Sequence, residues 1–206
     1  MARPAQIDPA NAKRIVDAAR EVIAEHGSRA ATFENIAELA GVSRGLVHYY
    51  FKRKDALLCE VARSSCEMYR EIVSAAFAQA ESVDELLDHL LDILRASIEA
   101  DPAFYGLMFE LMLMARHNDE VATEIRAMAG EWTTRLGGEL SSAAERGLVR
   151  PLDDPEGVAK MCLAITDGLS LHAMVGVDVA PGIEATRQLL RGLFDPAART
   201  APAPSA

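Results

Sequence analysis

Residues 32–51 of this chain, TFENIAELAGVSRGLVHYYF, encode two helices in immediate succession, each too short to be stable alone. Thr32 is placed to cap the first, in which Phe33, Ile36, Ala37 and Ala40 share a face. Gly41 supplies the backbone conformation that ends it, and Ser43 caps the second. Two such helices can cross steeply only where the residues between them are small, and Ala37 and Gly41, four apart, meet that need. The corner must then pack on a third helix. One is predicted over 9–26, opened by Asp8-Pro9, carrying Ile15, Ala19, Val22, Ile23 and His26 on one face, and stopped by Gly27-Ser28. A fourth helix begins near Lys54-Asp55.

The remainder repeats one theme, longer helices with short breaks. ALLCEVARSSCEMYREIVSAAFAQA is periodic, and a capping box of Ser82 and Glu85 opens a helix to about 100. Asp101-Pro102 breaks that helix and a short apolar one covers about 103–116. Asn118 caps another to about 146, Asp154-Pro155 opens one to about 176, and Pro181 opens the last, to about 194. Hydrophobic residues make up 50% of the 206 and aromatics only 5%, with Pro and Gly scarce inside the Ala/Leu/Glu/Arg-rich runs, so helix is favoured over strand throughout. The expected fold is all-α: an N-terminal three-helix domain with a helix-turn-helix (1–54), a larger helical domain (55–195), and a Pro/Ala-rich tail (196–206) expected to be disordered.

The net charge of −10 is unevenly distributed. Residues 1–60 hold 9 Lys/Arg against 8 Asp/Glu, while residues 61–206 hold 12 against 23, so the N-terminal end can act on a polyanion despite the acidic remainder. The three cysteines, Cys59, Cys66 and Cys162, form no CxxC pair and suggest neither a disulfide framework nor zinc. No apolar stretch is long enough to span a bilayer, since GLMFELMLMA is interrupted by Glu110, and MARPAQIDPA has no signal-like apolar core. A cytoplasmic protein with no membrane partner is expected.

Residues 40–55, AGVSRGLVHYYFKRKD, combine small residues, aromatics and four Lys/Arg. The third helix presents Arg44, Gly45, Leu46 and His48 near its start, while Val47, Tyr50 and Phe51 can face inward. Arg44 can fork onto guanine O6 and N7, Gly45 permits close backbone approach, and Lys54, with the dipole of the fourth helix, can grip phosphate. The segment ATFENIAELAGVSRGLVHYYFKRKDALL resembles the DNA-binding domain of TetR-family transcriptional regulators over about residues 9–60. The resemblance implies a three-helix DNA-binding domain and a larger helical domain for ligand binding and dimerisation. It makes Thr32, Tyr49 and Lys54 phosphate contacts, and Ser43, Arg44, Gly45, Leu46 and His48 the groove-facing set. His48 departs from the family pattern, in which many members carry Tyr. Further along, WTTRLGGELSSAAERGLVRP and AITDGLSLHAMVG are similar to the C-terminal region of a broad branch that includes betaine-pathway regulators.

An effector pocket needs an apolar lining with a few polar groups, and FYGLMFELMLMARH offers Phe104, Met108, Phe109, Met112 and Arg116, with Trp132 as a further candidate. The same methionine spacing also suits plain core. Val158, Met161, Cys162, Ile165 and Leu169, with Ile183, Leu189, Leu190 and Leu193, form apolar stripes on the last two helices that can pair across a twofold axis or pack within one subunit. Asp88, His89, Asp92 and Glu85 read as a solvated face with Arg95 as partner rather than as a metal site. No nucleophile, base and orienting group converge, and nothing calls for a cofactor. The expectation is a non-enzymatic, homodimeric repressor that binds a palindromic double-stranded DNA operator and is released by a small-molecule effector. The rival is a ligand-independent DNA-binding or protein-interaction factor on the same scaffold.

Overall fold

The helix starts that the sequence marks with Thr32, Ser43, Ser82, Asn118 and Asp154 carry those caps in the structure, a computed structural model that describes residues 9–196. The Asp8 cap and the tail beyond Pro196 lie outside the described residues. Among the described residues the elements are α1 (Pro9–His26), α2 (Phe33–Ala40), α3 (Arg44–Tyr50), α4 (Lys54–Gln79), α5 (Val83–Ala100), α6 (Pro102–Ala115), α7 (Asp119–Glu145), α8 (Pro155–Met174) and α9 (Ala180–Phe194). A single 3₁₀ turn, Ser28–Ala30, joins α1 to α2. No pattern in the sequence anticipates it, because three residues are too few to show a period.

The chain forms two compact units. The first takes in the chain up to Cys66 together with Pro102–Ala127. Within it Thr32 Oγ1 accepts from the Asn35 N–H at 3.2 Å, and Asn35 Nδ2 donates to the Ala30 carbonyl at 2.8 Å, which ties the α2 start to the turn before it. Gly41 closes α2 in the left-handed region (φ 62°, ψ 39°), which a side chain rarely adopts. From α1, Arg14 Nη2 donates to the Ala40 carbonyl at 2.6 Å, satisfying one of the acceptors the helix end leaves open. Ile15, Ala19, Val22 and Ile23 of α1, Ile36, Ala37 and Ala40 of α2, and Val47 of α3 are buried, with Leu57, Leu58 and Val61 of α4 and Tyr105, Leu107 and Leu111 of α6. Each large apolar side chain so buried is worth roughly 1.5–3 kcal/mol relative to exposure, and this packing, not propensity, holds the two short helices. His26 corrects the expectation for α1: its side chain is 65% exposed, because the last turn of the helix runs past the packed face. Tyr50 and Phe51 are only half-buried.

The second unit takes in Glu67–Asp101 and the chain from Met128 onward. Its main core joins Phe77 of α4, Leu86 and Leu87 of α5, Leu136, Leu140 and Ala143 of α7, Ala159 of α8, and Leu190 and Phe194 of α9. A smaller cluster of Leu91, Leu94 and Ile183 carries Ile98, Leu169 and Val179 on its flank. Gly182 lets α9 approach α8 closely, since a Cβ there would stand 2.6 Å from Leu169 Cδ2. The end of α9 is closed by Arg150, whose N–H donates to the Phe194 carbonyl at 2.9 Å and whose Nε donates to the Leu193 carbonyl at 2.6 Å. The capping box at α5 has Ser82 Oγ accepting from the Glu85 N–H at 3.2 Å, while the Glu85 carboxylate reaches one residue further back, to the Glu81 N–H at 2.9 Å.

Candidate nucleic-acid interface

Helix α3 is anchored by one residue and offers most of the others. Val47 is 0% exposed, whereas Ser43, Arg44, Gly45, His48 and Tyr49 are exposed and Leu46 is half-exposed. Ser43 Oγ accepts from the Leu46 N–H at 3.1 Å, which fixes the first turn. Of the groove-facing candidates four are thus exposed and Leu46 partly so, and Gly45 leaves the backbone open between Arg44 and Leu46. His48 is held edge-on to Phe33 of α2 (centroids 6.0 Å, planes 89°), and Tyr49 meets Tyr50 in the same manner at 5.6 Å. Arg44 Nη1 stands 2.7 Å from Glu34 Oε1 of α2. Thr32 is exposed at the α2 start, its hydroxyl occupied as a cap.

The basic run that follows is differentiated by its surroundings. Lys54 is half-buried, and its Nζ donates to the carbonyls of Ser28 at 2.7 Å and Arg29 at 3.2 Å, so it pins the 3₁₀ turn to the start of α4. Arg53 is forked onto Glu120 at the start of α7, with Nη1 to Oε1 at 2.9 Å, and Arg53 Nε donates to Asp55 at 3.0 Å. Hydrogen bonding from the Glu120 and Asp55 carboxylates raises the guanidinium pKa. Burial pulls the Asp55 carboxyl upward, but hydrogen bonds from Arg53, the Ala56 N–H and Asn118 outweigh it and hold the group below its ordinary value. Lys52 is exposed. No residue-type pattern along the chain distinguishes these three cations; apart from the local Asp55, the partners of Arg53 and Lys54 come from 25 to 67 residues away.

The effector candidates fall on two elements in different units. Phe104, Met108, Phe109 and Met112 of α6 are half-buried, and Arg116 just after it is exposed. Trp132 of α7 is half-buried in a surface depression with Arg70, Val73, Ser74, Arg135, Leu136 and Glu139. Arg70, nearly buried itself, is neutralised there by Glu67 and by Glu131 at 3.0 Å.

The proposed dimer stripe divides as well. Leu190 is buried in the core of its own chain, and Val158, Met161, Cys162 and Leu193 pack half-buried against that core. Leu169 flanks the smaller cluster and Ile165 is half-buried. Leu189 is 53% exposed. Beside it in kind are Leu171, Met174, Val175 and Val177, exposed by 46–73%, at the end of α8 and just after it. The signal for most of them is the apolar run AMVGV, which continues past the end of a helix. Of the acidic face on α5, Asp92 pairs with Arg95 at 2.7 Å, but Asp88 pairs with Arg187 of α9. Among the described residues no group of three His, Cys, Asp or Glu stands close enough to hold a metal ion, and no helix is long and apolar enough to cross a membrane.

Residues 15–61 match the family described as bacterial regulatory proteins, tetR family, and residues 83–195 match the BetI-type transcriptional repressor C-terminal domain. The chain is 33% identical over 166 residues to the HTH-type transcriptional regulator BetI of Rhizobium meliloti, covering 81% of this chain and 79% of that one. To BetI of Agrobacterium fabrum it is 29% identical over 190 residues, covering 92% and 88%. Among solved structures, a TetR-family transcriptional regulator from Rhodococcus sp. superposes with a TM-score of 0.72 at 20% identity, over 91% of this chain and 100% of that one.

Proposed function

The chain belongs to the TetR family of bacterial regulatory proteins, with a BetI-type repressor C-terminal domain, and on that premise we propose that it acts as a homodimer on a palindromic operator and leaves it when a small-molecule effector binds. It is a transcriptional regulator and not an enzyme. The observation that carries the reading is α3: Val47 fastens the helix from below while Arg44, Gly45, His48 and Tyr49 stand exposed after a Ser43 cap. That surface suits a major groove, with Arg44 for a base edge and Thr32, Tyr49 and Lys54 beside the phosphates.

In this reading residues 1–54 form the DNA-binding domain and 55–195 the effector-binding and dimerising domain, in the cytoplasm, where the DNA is. The exposed apolar residues around the end of α8 and on α9, Leu189 among them, support a twofold contact that sets two α3 helices about one turn of DNA apart, roughly 34 Å. The half-buried methionines and phenylalanines of α6 support an apolar effector site. An effector preferring the DNA-incompetent state by about a hundredfold lowers operator affinity by at most about that factor per coupled site. The test starts from duplexes selected by the full-length protein out of a random-sequence pool. A twofold-symmetric consensus, bound by a dimer in sedimentation, is the expected result. An asymmetric consensus bound by a monomer would overturn the proposal.

A further inference from the structure

Glu34 is a carboxylate on a surface proposed to meet a polyanion. It lies in the first turn of α2, its side chain 61% exposed, and it pairs at 2.7 Å with Arg44, itself 67% exposed. A first-turn acid suits the dipole of α2, but a pair this open to water adds little to folding, so its contact with Arg44 is free to serve binding. The contact is through Nη1; a guanidinium has five N–H donors in one rigid plane, and its Nε and Nη2 edge is the one suited to a forked base contact. Fixing one edge on a helix-borne carboxylate orients the plane of the rest.

We infer that Glu34 is a specificity-determining positioning residue: it sets the Arg44 guanidinium for side-on recognition of a base, and its negative charge penalises every docking in which that base contact is missing. The inference rests on α3 being the groove-reading helix. Random duplex offers phosphates but no matched base edge; there Glu34 contributes only repulsion and withholds Arg44 from the backbone. On the matched site Arg44 gains a forked base contact while keeping its carboxylate partner, so the repulsion is offset. Glu34 thus widens the gap between right and wrong sequence chiefly by weakening the wrong one, an established route to selectivity.

The experiment measures Kd and its salt dependence for the full-length protein and its Glu34→Gln, Arg44→Ala and double variants, each on a duplex selected from a random pool by the unaltered protein and on a scrambled duplex. Melting curves confirm that each variant is folded. Glu34→Gln should tighten binding to scrambled DNA by about three- to tenfold per subunit, by the size of effect expected for one like charge at a DNA rim, and steepen the salt slope there. Binding to the selected duplex should change by less than about twofold, so that the specificity ratio falls. In the Arg44→Ala background Glu34→Gln should no longer alter base preference. If Glu34→Gln leaves the ratio unchanged while Arg44→Ala lowers it, the role of Glu34 is refuted and α3 still reads the groove. If Glu34→Gln shifts the preferred base even without Arg44, Glu34 contacts a base itself and the positioning role is overturned. If Arg44→Ala weakens both duplexes equally, the groove assignment of α3 fails first, and the inference with it.

Discussion

The α2–α3 corner and the region around the end of α8 and α9 both pack one side on a core, yet their outer sides expose opposite chemistry. At the corner Ile36, Ala37, Ala40 and Val47 are turned inward, Val42 and Leu46 are partly exposed, and Ser43, Arg44, Gly45 and His48 stand outside with Leu39 and Tyr49. Around α8 and α9 the core is already complete, with Phe194 1% and Leu190 5% exposed, and Leu171, Met174, Val175, Val177 and Leu189 are nevertheless left outside. A surface that hides its apolar groups and offers donors is built for a charged partner; one that offers aliphatic groups in excess of its own core is built for another apolar surface. On the function proposed above, the first would meet phosphate and base edges and the second a second copy of the chain.

The comparison is broken most forcefully from beneath the second surface. Phe194→Ala should lower stability by about 3–5 kcal/mol, since it opens a cavity in a filled core, and chemical denaturation reads this directly. The neighbouring exposed position behaves differently. Leu189→Arg should leave the stability of the single chain within about 0.5 kcal/mol while weakening self-association by roughly 2–4 kcal/mol, measured by sedimentation across a dilution series. Leu169→Arg is a poorer test of association, because Leu169 packs on the smaller cluster and closely against Gly182 within its own chain.

At the corner the effects are smaller and concern binding. Arg44→Ala should weaken a selected operator by about 1–3 kcal/mol per half-site, relax preference at one base pair and leave the melting temperature unmoved. Lys54→Ala should weaken selected and scrambled duplexes alike and reduce the salt slope by about one unit per subunit. Unlike Arg44→Ala it should also lower stability, by about 1 kcal/mol, because Nζ holds the Ser28 and Arg29 carbonyls. The smallest effect belongs to two thiols, the buried Cys59 and the half-buried Cys162. Burial pushes Cys59 and Cys162 up to about 11 from an ordinary value near 9, so both stay protonated in the fold at pH 8 and should alkylate slowly until the chain unfolds. The unfolded chain releases these protons first, so stability should decline as pH rises from about 9 toward 11, the reverse of what a stabilised thiolate would give.

The sequence by itself determined what is local. Thr32, Gly41, Ser43, Ser82 and Asp154 mark helix ends because capping and left-handed backbone depend on residues within a turn of one another, and the structure has them at those ends. The all-α fold and the helix-turn-helix follow from the same short-range signals, since a period of 3.6 and a small-residue corner need no distant partner to be read. Only the tertiary structure decided which of Lys52, Arg53 and Lys54 is already engaged, that Glu34 holds Arg44, that Leu190 turns inward while Leu189 turns out, and that α6 clusters with the first unit. A cation's freedom, or a leucine's, is set by whatever the fold brings against it from tens of residues away, and a one-dimensional pattern carries no record of that neighbour.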